Sequence, residues 1–271
     1  LWEVDVDKWG LMVMHYTRCR ITFAEDKLIA IAGVARRIAD VSCLQSNQYL
    51  AGIWTPSICN GLAWSVTALF TSKIYGSSDY VALSWSWASI YGRINTNDSK
   101  SYGYAQIPIA TLQSSSIRTE NDNNFGQVKG HVAQLKLGKF ETMGVTTVKS
   151  IVHYGDYGEE ELNFLQMGLE ENSFDTFARL DDEEYLNQRR IPYRDDLSKM
   201  YGLVLREWRR HRWMGDLEND CQRIDGIILY EEYSDVYSRI GYFSIDVKNL
   251  DESEYRECMN YFPIRDSITI I

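Results

Sequence analysis

The sequence predicts an α+β fold, with amino-terminal helices packed on a predominantly antiparallel β-sandwich or partly open barrel. Three observations predict it. Apolar residues recur at helical spacing up to about residue 64, and beyond Tyr80 most periodic segments read as strands instead. Eight Trp and eighteen Tyr in 271 residues add weight to the sheet, because aromatic rings suit a pleated, half-buried surface. The change of period divides the chain into a helical segment, 1–66, and a β-rich domain, 67–271, expected to pack as one unit.

The first helix is expected from about Val6 to Thr17. Trp9, Met12, Val13 and Tyr16 fall at i, i+3, i+4 and i+7, with Asp5 and Asp7 at the amino end and Arg18 and Arg20 at the other, as the helix dipole prefers. Next, Thr22 and Glu25 have capping-box spacing, and Leu28, Ile31, Ala32, Ala35 and Ile38 form the stripe of a second helix. Ala30, Ala32, Gly33 and Ala35 keep it thin enough for a neighbouring element to approach. Pro56 and Ser57 open a short third helix to about Trp64.

Tyr80 to Ser89 alternates, with Val81, Leu83, Trp85 and Trp87 on one side and Ala82, Ser84, Ser86 and Ala88 on the other. It is predicted to be a strand whose smooth face seats the small-residue helix. Further strands are expected at Ala105 to Ala110, Gln127 to Phe140, Thr146 to Val152, Gly202 to Trp208, Ile224 to Tyr230, Tyr237 to Ile245 and Ser267 to Ile271. Few helix-length crossovers separate them, so antiparallel pairing follows. Gly155 to Lys199 carries thirteen acidic residues against five basic ones and reads as a solvated insertion, at about 155–200, with helices at Glu159 to Glu170 and Asp182 to Gln188.

Composition narrows the function. A net charge of −10 and a pI near 5.0 work against nucleic acid and anionic lipid. No apolar run approaches the roughly 18 residues that cross a bilayer, so a soluble protein is expected. Cys19, Cys43, Cys59, Cys221 and Cys258 lack CxxC spacing and read as reduced thiols, so a cytoplasmic location is expected. His15, His131, His153 and His211 are scattered, so no metal is expected. There is no GxSxG elbow for a nucleophile and no glycine-rich phosphate loop, so no cofactor is expected either. His153 and Asp156 are the one nearby imidazole and carboxylate, at a strand end where turn chemistry accounts for them.

Two aromatic groups need an account. Trp85 and Trp87, if exposed, make a platform for a sugar; with Val81 and Leu83 on the same face they read as core. Arg206, Trp208, Arg209, Arg210, Arg212 and Trp213 interleave cations with indoles, as single-strand binders do, but Glu207, Asp216, Glu218 and Asp220 cancel much of the field. The segment is expected to be a loop between strands, paired to the acidic insertion, and a candidate partner-binding loop.

Three stretches go further than composition. Tyr16, Arg18, Thr22, Asp26, Lys27, Leu28, Gly33 and Ala35 give a tyrosine, an arginine and a DKL tripeptide before a small-residue helix. Tyr49, Ala51, Gly52 and Trp54 give YLAGIW, and Ser84 to Ser89 gives SWSWAS. In this order they resemble the region that follows the signature domain of fungal heterokaryon-incompatibility proteins. Thr17 for serine, Ile29 for proline and Leu83 for proline are departures. Asp26 suits a helix start, while Lys27 and Arg18 are expected to pair with carboxylates that lock the helices together.

The resemblance implies a part in non-self recognition and programmed cell death. It also implies that the active chemistry, thought to be NAD cleavage, belongs to a signature domain upstream of Leu1. None of that domain's motifs matches a position here, so the expectation is a regulatory region that is not an enzyme. Its expected partners are its own upstream domain and another incompatibility protein. The alternative is a carbohydrate-binding β module.

Overall fold

The computed structural model describes residues 8–19, 21–23, 26–69, 82–96, 104–116, 134–138, 145–154, 162–167, 175–181, 199–211, 217–247, 251–260 and 267–271. The fold is mixed α+β with antiparallel ladders. Two compact units make up the chain: Leu1–Ser99 with Leu112–Lys136 and Thr269–Ile271, and Lys100–Thr111 with Leu137–Ile268. The boundary therefore differs from the expected break near residue 66. Trp64 donates its indole N–H to the Trp85 carbonyl at 3.1 Å, one of the bonds that join the helical segment to the residues after it.

The first unit contains α1 (Trp9–Tyr16), α2 (Lys27–Ser42), β1 (Tyr49–Leu50), β2 (Ile53–Trp54), α3 (Ile58–Leu62), β3 (Ser65–Leu69) and β4 (Gly92–Asn95). α2 buries Leu28, Ile31, Ala32, Ala35, Ile38 and Ala39, the predicted stripe. The expected cap is corrected: α2 starts at Lys27 with Asp26 at its N-cap, and Asp26 makes no side-chain capping bond. A short 3₁₀ turn carrying Pro56 leads into α3. β3 and β4 pair antiparallel, Ser65 opposite Asn95.

The predicted strand at Tyr80 to Ser89 is also corrected. Tyr80 and Val81 lie outside the described residues, Ala82 to Ser86 form turns and bends, and Trp87–Ser89 is a 3₁₀ turn. Serine chemistry explains the change. The Ser86 hydroxyl accepts the Ala88 N–H at 3.1 Å, and the Ser89 hydroxyl donates to the Ser86 carbonyl at 2.7 Å. Such local bonds offer the backbone an alternative to a ladder.

The second unit contains β5 (Tyr104–Pro108), β8 (Val145–Tyr154), β9 (Leu162–Met167), β10 (Asp175–Leu180), β11 (Met200–His211), β12 (Leu217–Tyr233), β13 (Val236–Asp246) and α4 (Glu252–Asn260). The division between units runs through β6 (Thr111–Ser116), β7 (Gln134–Gly138) and β14 (Ser267–Ile270). Within the second unit the ladder runs β9-β8-β11-β12-β13 as an open path, with β5 also on β11 and β10 also on β13. Residues 202–208, 224–230 and 237–243 are buried without a break, so both faces of β11, β12 and β13 are covered.

Gly226 sits at the centre of this sheet, opposite Val204 on one side and Phe243 on the other. A Cβ there would overlap the Phe243 ring, so glycine makes room for the ring to lie across the strand. Two helices were expected in the acidic segment. The first is corrected, because Leu162–Met167 is a strand paired with β8, and Asp182 to Gln188 lies outside the described residues. β10 also comes from this segment, so the insertion adds strands to the sheet. Asp181 then forms a buried ion pair with Arg239 of β13 at 2.8 Å.

No sequence expectation covered α4. Its cap is legible in retrospect. The Asp251 carboxylate accepts the N–H groups of Ser253 and Glu254 at 2.8 and 2.9 Å, and Glu254 accepts the Asp251 N–H at 2.8 Å, a reciprocal capping box. No helix among the described residues is long and apolar enough to cross a membrane.

Candidate functional site

Two of the family-like segments meet at one hairpin turn, where Ser86 and Trp87 reach Ala51 and Gly52. Leu50 pairs with Ile53, leaving Ala51 and Gly52 as a two-residue loop with φ of +43° and +96°. A type I′ turn requires positive φ at both positions. Ala51 bears the strain of a left-handed conformation, and its surroundings hold it there. Its carbonyl accepts the Ser86 hydroxyl at 2.6 Å, and the Gly52 carbonyl accepts two indole N–H groups, Trp9 at 2.7 Å and Trp87 at 2.8 Å.

Aromatic packing closes the same region. Trp9 meets Tyr49 and Trp54 edge-on at 5.8 and 6.4 Å, Tyr49 meets Trp54 at 4.9 Å, and Tyr16 meets Trp87 at 5.9 Å. Tyr49, Trp54, Trp85 and Trp87 are each at most 2% exposed. Trp85 and Trp87 are core residues, as expected, and a sugar cannot stack on either ring. Burial also pushes the Tyr49 phenol far above its ordinary range.

Lys27 lies under this cluster. Its ammonium donates to the Ile90 carbonyl, and its own carbonyl accepts the Tyr16 hydroxyl at 2.7 Å. The expected ion pairs are corrected: among the described residues neither Lys27 nor the exposed Arg18 meets a carboxylate. Full burial pulls the Lys27 amine down to about 7. The Tyr16 phenol is pushed up to about 12 by burial, with smaller contributions from Cys19 and Asp26. A neutral amine is nucleophilic, but this one points at a backbone oxygen and away from solvent.

Gly33 takes no part in the cluster. Together with Ala30 it faces solvent, and a Cβ built on it would meet nothing within 4 Å. The expectation that the glycine side of α2 packs on the SWSWAS segment is therefore corrected. Ala32 and Ala35 are buried, whereas Ala30 and Gly33 lie on the opposite side of the helix.

In the second unit the expected partner loop is corrected to a strand. Arg206, Trp208, Arg209 and Arg210 all belong to β11; Arg212 and Trp213 lie outside the described residues. Alternate residues of β11 engage different partners. Arg206 and Trp208 donate to one Asp225 oxygen at 3.0 and 2.7 Å, while Arg223 and Tyr242 donate to the other at 2.6 and 2.9 Å. Burial alone would raise the Asp225 carboxyl; the Arg206 and Arg223 guanidiniums and these donors overcome that and hold it below its ordinary value. Both guanidiniums also lie over the Trp208 ring, at 5.1 and 5.5 Å.

The intervening Glu207 accepts Arg209 at 2.8 and 3.0 Å and the Tyr255 hydroxyl of α4. Arg206 therefore pairs within the sheet, where the expectation was the acidic insertion. The signal that sequence reading missed was the alternation itself, with Arg206 and Trp208 on one side of the strand and Glu207 and Arg209 on the other. Among the described residues no group of three or more His, Cys, Asp or Glu is placed to hold a metal ion.

No protein-family model matches the chain, and no curated protein or solved structure is significantly similar to it.

Proposed function

We propose that the chain is a non-catalytic accessory region of a fungal heterokaryon-incompatibility-type protein. In this reading it works in the cytoplasm, in non-self recognition and programmed cell death signalling, and it restrains or positions an effector domain that follows its own chemistry. One observation carries the reading. Ser86 and Trp87 of one motif segment donate to the carbonyls of Ala51 and Gly52 in a second, Tyr16 of a third donates to the Lys27 carbonyl, and the rings of Tyr49, Trp54 and Trp87 are buried. Residues used in this way build a scaffold, and a scaffold attached to an effector acts through position. The partners proposed are the upstream signature domain and a second incompatibility protein.

The test joins the chain to a signature domain and measures NAD consumption for the domain alone, the chain alone and the fusion. The reading expects no turnover by the chain alone and an altered rate in the fusion. NAD turnover by the chain alone, or a fusion identical to the isolated domain with no binding between the two parts, contradicts it.

A further inference from the structure

We propose that the first turn of α2 is a pH-sensitive latch, held shut while the Lys27 amine sits neutral on the Ile90 carbonyl and loosened by fraying when that amine takes up a proton. The proposal does not depend on the functional reading above. Lys27 is the first residue of the helix and only 5% exposed, a rare position for a long cationic side chain. Two bonds hold it to separate segments: its amine donates to the Ile90 carbonyl, and its own carbonyl accepts the Tyr16 hydroxyl of α1 at 2.7 Å. One residue thus ties the start of α2 both to α1 and to the stretch that follows SWSWAS.

The seat favours the neutral amine. An ammonium carries three N–H groups and a charge that burial penalises, and a backbone carbonyl answers one of the three. The titratable and charged groups around it supply no ion pair. Tyr16 comes from α1, with Cys19 just after it and His15 exposed; Tyr49 comes from β1; Asp26 precedes Lys27 on its own element; Tyr91 and the exposed Arg93 follow Ile90. Among the described residues no carboxylate pairs with the amine, and burial pulls it down to about 7.

The way out is short. Asp26 at the N-cap makes no side-chain capping bond, and the first turn carries no acidic residue. A helix end without such a bond frays at low cost. Unwinding one turn brings the amine to water while the stripe from Ile31 to Ala39 stays in the core. The open amine then recovers its ordinary 10.5, so the open state gains as pH falls from there to about 7 and gains little more below it.

Amide hydrogen exchange on the whole 271-residue chain, corrected for intrinsic rates and run across neutral and mildly alkaline pH with and without dilute urea, tests this. The reporter is the Ile31 N–H, which bonds the Lys27 carbonyl in helical geometry. Its opening should grow about fiftyfold from about pH 9 to about pH 7, and less than about twofold more over the next unit down. It should barely respond to urea, unlike the opening that frees Ala39 deeper in the helix. Lys27→Met should flatten the pH profile, and Tyr16→Phe should raise opening about fivefold at every pH without changing the slope. A pH-independent Ile31, an opening as urea-sensitive as that of Ala39, a slope that survives Lys27→Met, or Tyr16→Phe without effect overturns the proposal.

Discussion

Trp87 donates its indole N–H to the Gly52 carbonyl at 2.8 Å, and the Gly52 α-carbon lies so close beneath the ring that an added Cβ would overlap it. Gly52→Ala therefore combines an overpacked core with a side chain at φ of +96°. Each effect costs about 1–3 kcal/mol. The variant should lose about 2–5 kcal/mol in urea unfolding, with a shift in tryptophan fluorescence as the Trp87 indole is displaced.

Lys27 should make stability depend on pH in the alkaline direction. Its amine falls from an ordinary 10.5 to about 7 in the fold, so between those values the unfolded chain holds a proton that the folded chain has released. Stability then rises with pH across this window and is flat below it, by up to about 3 kcal/mol between pH 7 and 9. Above pH 9 the thiols of Cys221 and Cys258, pushed up to about 12 chiefly by burial, favour the fold less as pH climbs. Lys27→Met should flatten the rise and stabilise the protein most at or below pH 7, as read from urea midpoints across the range.

Asp225 should be the most sensitive carboxylate of the second unit. Asp225→Asn removes the carboxylate paired with Arg206, which is 0% exposed, and breaking a buried pair in this way costs about 3–5 kcal/mol. The folded carboxyl lies below its ordinary 3.8, so its contribution is full above that value and is lost as pH falls through the folded one. Acid titration of wild type and Asp225→Asn, followed by circular dichroism, should show a wild-type transition at low pH that the variant lacks or reaches at higher pH.

Periodicity made much of this fold legible. The α2 stripe from Leu28 to Ile38, the short helix after Pro56 and the strands at Gly202, Ile224 and Tyr237 are all close to where their patterns place them. The failures share a cause, since local hydrogen bonds and long-range pairs are invisible to a period. Ser86 and Ser89 turn an alternating segment into a 3₁₀ turn, and β8 draws Leu162–Met167 into a ladder although its flanks are acidic. Gly33 and Ala32 look alike as small residues, yet one turn angle puts the first in solvent and the second in the core.

The site was legible to a similar degree. That Trp85 and Trp87 are core follows from their neighbours, but the Gly52 carbonyl could not be foreseen as the acceptor joining Trp9 to Trp87 across 43 and 35 residues. Nor does any sequence pattern reveal that Lys27 meets no carboxylate among the described residues. The interleaved arginines of β11 resembled a recognition loop because their partners, Asp225 and Glu207, are set by strand register and alternation.

The central claim is that the motif residues are architecture around one carbonyl, and a double-mutant cycle tests it most directly. Trp9→Phe and Trp87→Phe each remove one donor and leave Gly52 with the other, at about 1 kcal/mol beyond the cost of the smaller ring. Together they leave a buried carbonyl with neither indole, so the double variant should lose at least about 1 kcal/mol more than the sum in urea unfolding. Additive losses, or two variants as stable as the wild type, would contradict the account.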